Sequence, residues 1–141
     1  MRASLGLIVF AVFLAVNAFG FLNSEIHYKW WKNPRIVQEM DLTQEQSDSI
    51  EKIFDSYRDQ IMESQKQLAG KEDDLLGTLR KPECSADEVM RITDDIENIK
   101  ANLTRIRIEM YLKIKNVLTQ DQIAKLYQIK SRYRSRLKLS P

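Results

Sequence analysis

The sequence predicts an all-α protein: a long antiparallel helical hairpin with a short third helix folded back on it, expected as a two-fold dimer behind an N-terminal apolar segment. Three observations predict it. Two long stretches carry apolar residues at alternating spacings of three and four, the helical period. Each of three stretches opens on a helix-capping signature. Gly (4) and Pro (3) are too scarce in 141 residues for an all-β chain, which needs a turn about every eight to twelve residues.

Residues 5–22 carry no charge and follow Arg2. The run lies between a signal-peptide core and a membrane span, which needs about 20 apolar residues. Two fates stand open. Val16-Asn17-Ala18 suits cleavage after Ala18, leaving a soluble periplasmic protein. Tyr28, Lys29, Trp30, Trp31 and Lys32 suit the headgroup zone and favour the preferred reading, an uncleaved anchor in the inner membrane with the rest exported to the periplasm. The alternative for the two Trp is packing against the helical domain. On this reading residues 1–22 are anchor or signal peptide, 23–41 a juxtamembrane link and 42–141 the helical domain. Within the link, Pro34-Arg35-Ile36-Val37 is suited to start a short helical turn.

The first long helix should begin near Gln44, because Thr43 and Gln46 form a T-x-x-Q capping box. Its apolar positions are Ile50, Phe54, Tyr57, Ile61, Leu68 and Leu75, with polar Ser64 and Lys71 in the gaps. Ile53, Leu76 and Leu79 widen the stripe. Gly70 and Gly77 weaken the helix by roughly 1 kcal/mol each relative to Ala. Lys81-Pro82 ends it, and Pro82–Cys84 should be the hairpin tip.

Ser85 and Glu88 then offer a second capping box. The stripe that follows is the most regular in the chain: Val89, Ile92, Ile96, Ile99, Leu103, Ile106, Met110, Ile114 and Val117. Ile108, Tyr111 and Leu112 form a second, late apolar set, so this part needs a second neighbour. A third helix, from about Gln120 to Leu137, should supply it, with Ile123, Leu126, Tyr127, Ile129 and Tyr133 inward. A two-helix slab leaves apolar flanks exposed, among them Ile53, Met62, Leu76 and Leu79; dimerisation is the common physical remedy.

Catalysis finds little support. With one His and one Cys, a Cys/His zinc module, an intrachain disulfide and a Cys–His nucleophile are excluded unless His27 and Cys84 meet. No GxGxxG, P-loop or GxSxG is present. The chain is read as a non-enzyme needing no organic cofactor.

Leu42-Thr43-Gln44-Glu45-Gln46 returns as Leu118-Thr119-Gln120-Asp121-Gln122. Two Leu-Thr-x-x-Gln motifs, each opening a helix, resemble the LTxxQ family of Spy- and CpxP-like periplasmic chaperones, close to periplasmic heavy-metal-resistance and sensor proteins. The resemblance covers about residues 36–137. It implies a hairpin with hooked ends, paired into a cradle-shaped dimer. It implies a stress-response role, either as an ATP-independent chaperone-like adaptor or as a metal sensor acting through a partner. Anchored sensors of this kind bind metal through several His; this chain has one.

Candidate sites follow. For metal, His27 with Glu25 offers an N/O pair that a dimer doubles, for Zn, Ni, Co or Cu; the alternative is a solvated imidazole. Met40, Met62, Met90 and Met110 are soft donors for Cu(I) or packing residues. For unfolded or partner proteins, the candidates are Met62, Leu76 and Leu79 with Arg132, Arg134 and Arg136. The last three lie in an acid-free basic run, Lys125 to Lys138, which also suits anionic lipid or the helix's own C-terminal dipole. Nucleic acid is not an expected partner of an exported domain. Asp73-Asp74 and Asp94-Asp95 point about 100° apart within each pair and should be solvated. Cys84 should be an exposed thiol at the tip.

Overall fold

A computed structural model describes residues 29–138. The segment 1–22, with its anchor or signal role, and the pair Glu25–His27 lie outside the described residues. Among the described residues every regular element is helical, and no helix is long and apolar enough to cross a membrane. A 3-10 turn spans Trp30–Lys32. Four α-helices follow: α1 Pro34–Glu39, α2 Gln44–Leu79, α3 Ala86–Val117 and α4 Gln120–Lys138.

Helices α2 and α3 form the hairpin, 36 and 32 residues long, or about 54 and 48 Å at 1.5 Å per residue. The connection between them contains Pro82 and the exposed thiol of Cys84. At its start Ser85 accepts from the Glu88 N–H at 3.4 Å. The reciprocal half of that box is not formed; the Glu88 carboxylate instead lies 4.0 Å from the Lys81 ammonium across the turn.

The core occupies the base of the hairpin. Ile50, Phe54, Tyr57 and Ile61 of α2 pack with Leu103, Ile106, Met110 and Ile114 of α3. Each such side chain contributes roughly 1.5–3 kcal/mol on burial. Leu126 and Ile129 of α4 close one side. Trp30, Trp31, Ile36 and Met40 close another.

The segment expected to be a link is therefore part of the core from residue 30 onward, and Trp31 is only 2% exposed. The headgroup reading of the two indoles gives way to packing. Their rings meet edge to face at 5.6 Å, and Trp31 tilts against Phe54 at 5.3 Å. The Trp31 Nε1–H donates to Glu51 at 2.5 Å, and buried Ser47 donates to the Trp31 carbonyl at 3.3 Å. Trp31 is thus held by both its face and its N–H, the partner a buried indole requires.

Asn33 caps α1, accepting from the Arg35 and Ile36 N–H groups, with Pro34 in the first turn. The helix closes through Asp41 N–H to Gln38 C=O at 3.2 Å and Leu42 N–H to Val37 C=O at 2.9 Å. Asp41 takes φ 51° there, a left-handed position usually given to Gly. The 6→1 bond drives Leu42 into the core and sets the start of α2.

Candidate functional site

The two Leu-Thr-x-x-Gln motifs meet at the base of the hairpin. Each Thr hydroxyl accepts from the backbone N–H three residues on: Gln46 to Thr43 at 3.1 Å, Gln122 to Thr119 at 3.2 Å. Each Gln carbonyl accepts in return from its own Thr N–H, at 3.1 and 2.9 Å. The two side-chain amides then pair with one another, each Nε2 donating to the other's Oε1 at 2.9 Å. The remaining donors cross over. Gln46 Nε2 reaches the Val117 carbonyl at 3.0 Å, and Gln122 Nε2 reaches the Asp41 carbonyl at 3.2 Å. Both carbonyls lie two residues before the other motif's Thr, so the arrangement has local two-fold character. Leu42 and Leu118 are buried beside it. The repeat was plain in the sequence, whereas the contact between its copies was not.

Of the side chains expected to hold clients, Met62, Leu76 and Leu79 lie on α2 and Arg132 on α4. Met62, Leu76 and Leu79 are each more than half exposed along α2. Arg132 lies at the other end of the hairpin, paired with Glu39 of α1. Lys125 likewise pairs with Asp41 at 2.7 Å, and Lys130 lies over the rings of Tyr111 and Tyr127 at 5.2 and 5.9 Å. Acids supplied by α1 and its C-terminus thus offset part of a stretch that is purely basic in sequence. Arg134 and Arg136 continue the same helix. Tyr127 and Tyr133, expected inward, are nearly half exposed. The inner face of α4 is carried by Gln122, Leu126 and Ile129 instead, and Tyr127 turns its hydroxyl to that of Tyr111 at 2.7 Å.

The late apolar set on α3 divides. Tyr111 meets α4, while Ile108 and Leu112 stay exposed together with Met90. At about 100° per residue, Met90, Ile108 and Leu112 fall within roughly 40° of one another, a stripe pointing away from the hairpin interior. Of the four Met considered as soft ligands, Met40 and Met110 are core residues, and Met62 and Met90 are exposed. Among the described residues, no three His, Cys, Asp or Glu side chains group as a metal site. Asp95, expected to be solvated, accepts from Lys71 at 2.8 Å, with Arg91 at 3.8 Å. That hydrogen bond and the charge of Lys71 hold its carboxyl below the usual range.

A small pocket opens where the 3-10 turn, α2, α3 and α4 meet, with a cavity of about 30 Å³. Indole and phenyl rings of Trp30, Trp31 and Phe54 form part of its wall, and Lys115 and Lys130 border it. Arg107 also lines it. This side chain is 7% exposed, and its Nε and Nη2 have no hydrogen-bond partner among the described residues. Burial lowers its pKa from the ordinary arginine value. Sequence reading passed over Arg107, although the signal was there. It stands four residues after Leu103 and three before Met110, so helical spacing places it on the inner face.

Comparison of the chain with protein-family models, curated proteins and solved structures finds no match.

Proposed function

We propose that this protein is an exported, membrane-tethered, ATP-independent chaperone-like adaptor that holds unfolded or partner protein segments and works as a homodimer. The observation that carries the reading is the exposed apolar surface on a closed hairpin. Met62, Leu76 and Leu79 on α2 and Met90, Ile108 and Leu112 on α3 are 40–59% exposed, yet both helices already have a buried face. About half of each side chain is left outside internal packing, and they are interspersed with charge that keeps the surface wet. Resemblance of the paired Leu-Thr-x-x-Gln motifs to the LTxxQ family supports the same role. Weak, exchangeable burial of a client's apolar segments lowers the free concentration that aggregates, by mass action and without nucleotide. Met and Leu suit this because they repack readily.

The test is aggregation of an unrelated unfolding protein in the presence of the full-length chain. Protection is expected at a few-fold molar excess, reduced by Leu76→Ser with Leu79→Ser at any salt concentration. Arg132→Gln should matter little, since Glu39 already neutralises that cation. Absence of protection, together with a marked rise in thermal stability on adding Ni²⁺, Co²⁺, Cu²⁺ or Zn²⁺, would favour the metal-sensor alternative. A monomer by sedimentation would remove the dimer from the proposal.

A further inference from the structure

We propose that the pocket at the base of the hairpin binds a small aliphatic carboxylate, with its head on the guanidinium of Arg107 and its apolar stem along Trp30, Trp31 and Phe54. This inference stands apart from the chaperone reading and uses none of the exposed side chains on which that reading rests.

The base of the hairpin carries an electrostatic imbalance. A guanidinium stays cationic in proteins and offers five N–H donors in a flat fork. In Arg107 two of the three nitrogens, Nε and Nη2, are buried and make no hydrogen bond among the described residues. Buried polar groups are almost always paired, and an unpaired buried charge is among the most costly defects a fold can carry. Several other charged groups at this end of the molecule do have partners. Glu51 takes Lys29 and Trp31, Asp41 takes Lys125, and Glu39 takes Arg132. Buried Arg107 lacks such a partner at Nε and Nη2 among the described residues, and it lines a cavity.

Three features of the cavity select the ligand. Arg107, unpartnered at two nitrogens among the described residues, and Lys115 line it, so an anion is favoured. The Nε and Nη2 edge of a guanidinium matches the two oxygens of a carboxylate. The volume of about 30 Å³ corresponds to roughly two or three water-sized groups at 10–15 Å³ each, which takes the carboxylate head and leaves the stem to extend along the walls toward the opening. Aromatic rings and the side chains of Met110, Ile114 and Leu126 supply the apolar remainder. An inorganic anion gains nothing from those walls.

Trp30 and Trp31 are the two Trp of the chain, and both line the pocket. Their fluorescence therefore reports its occupancy. The experiment titrates the full-length chain with hexanoate, hexanamide, chloride, and a short peptide bearing either a free or an amidated C-terminus. Hexanoate should give a saturable fluorescence change and raise the melting temperature. Hexanamide should bind about tenfold or more weaker, since it loses the charge-assisted pair. Arg107→Met should abolish the response to hexanoate while leaving the ligand-free protein at least as thermally stable, because the unpaired charge is gone. Arg107→Lys, which keeps the charge and loses the fork, should weaken hexanoate while preserving the fold, and it serves if the Met variant fails to fold. Equal binding of hexanoate and hexanamide would overturn the proposal, as would an unchanged hexanoate response in both Arg107 variants. So would a response to chloride as strong as that to hexanoate, or binding of the free-carboxylate peptide alone.

Discussion

The two ends of the hairpin are built from the same two helices and held together differently. At the base, α2 and α3 are covered by the 3-10 turn, α1 and α4, and one continuous apolar core runs from Trp31 and Met40 to Ile61 and Leu103. The core ends there. Toward the tip the interface narrows to Ile92 and Ile96 with buried Ser64 and Thr78, and an ion pair, Lys71–Asp95, ties the helices across the gap. The tip half also carries Gly70 and Gly77 and the exposed Leu76, Leu79 and Met90. A helix pair with one thin seam opens locally at lower free energy than one packed on several sides. The molecule thus places its rigid, polar-latched end at residues 30–62 and 103–130 and its pliable, apolar-edged end at the turn.

The contrast can be broken most forcefully at the core. Trp31→Ala should cost about 3–5 kcal/mol, since it empties the base and frees the Glu51 carboxylate from the indole N–H. Ile96→Ala at the tip should fall near the lower end of the range for large-to-small changes, about 2 kcal/mol. Urea unfolding of both variants checks this, and equal losses would mean that the two ends are equally well packed.

The latch comes next. Gln46→Ala or Gln122→Ala should each cost about 1–3 kcal/mol, because each strands a backbone carbonyl and the partner amide. In a double-mutant cycle the two should couple by at least about 0.5 kcal/mol. Strict additivity would show that the motifs are separate caps rather than one joint.

Smaller, and of opposite sign, is the effect expected at the tip glycines. A Cβ added at Gly70 or Gly77 meets nothing within 4 Å, and neither has a positive φ. Gly→Ala at either site should stabilise by about 0.4–1 kcal/mol through the unfolded chain and helix propensity. Hydrogen exchange in residues 64–79 should slow more than in residues 50–61, which sharpens the contrast.

The smallest effect belongs to Glu51. Burial alone would raise its pKa, but hydrogen bonds from Lys29 and Trp31, with the charges of Lys29 and Lys32, bring it below the ordinary carboxylate value. A carboxyl depressed in the folded state stabilises the fold fully above its unfolded pKa. That contribution fades as the pH falls through the lower folded value. Glu51→Gln should flatten this part of the acid-side stability profile by less than about 1 kcal/mol, since Lys29 is well exposed. An unchanged profile would leave the base without its ionic tie.

Local rules written in consecutive residues determined a great deal. Apolar spacing set α2 and α3, the Thr–Gln boxes set where α2 and α4 begin, and Pro82 marked the turn, because a capping box or a helical stripe needs only neighbours within four residues. Exposure of Met62, Leu76 and Leu79 was legible for the same reason: they lie beside a complete stripe rather than within it. Other features belong to tertiary structure alone. In sequence Trp30 and Trp31 favoured the membrane interface over the core, and the packing became visible only where Phe54, Ser47 and Glu51 meet Trp31 across some twenty residues of chain. The basic run of α4 meets Glu39 and Asp41 because the two motifs lock α4 beside α1. Spacing puts Arg107 on the inner face of α3 but does not show what surrounds it there. Closure of four elements around it made it a buried charge facing a small cavity, since desolvation depends on what the whole fold excludes from water and not on any pattern along the chain.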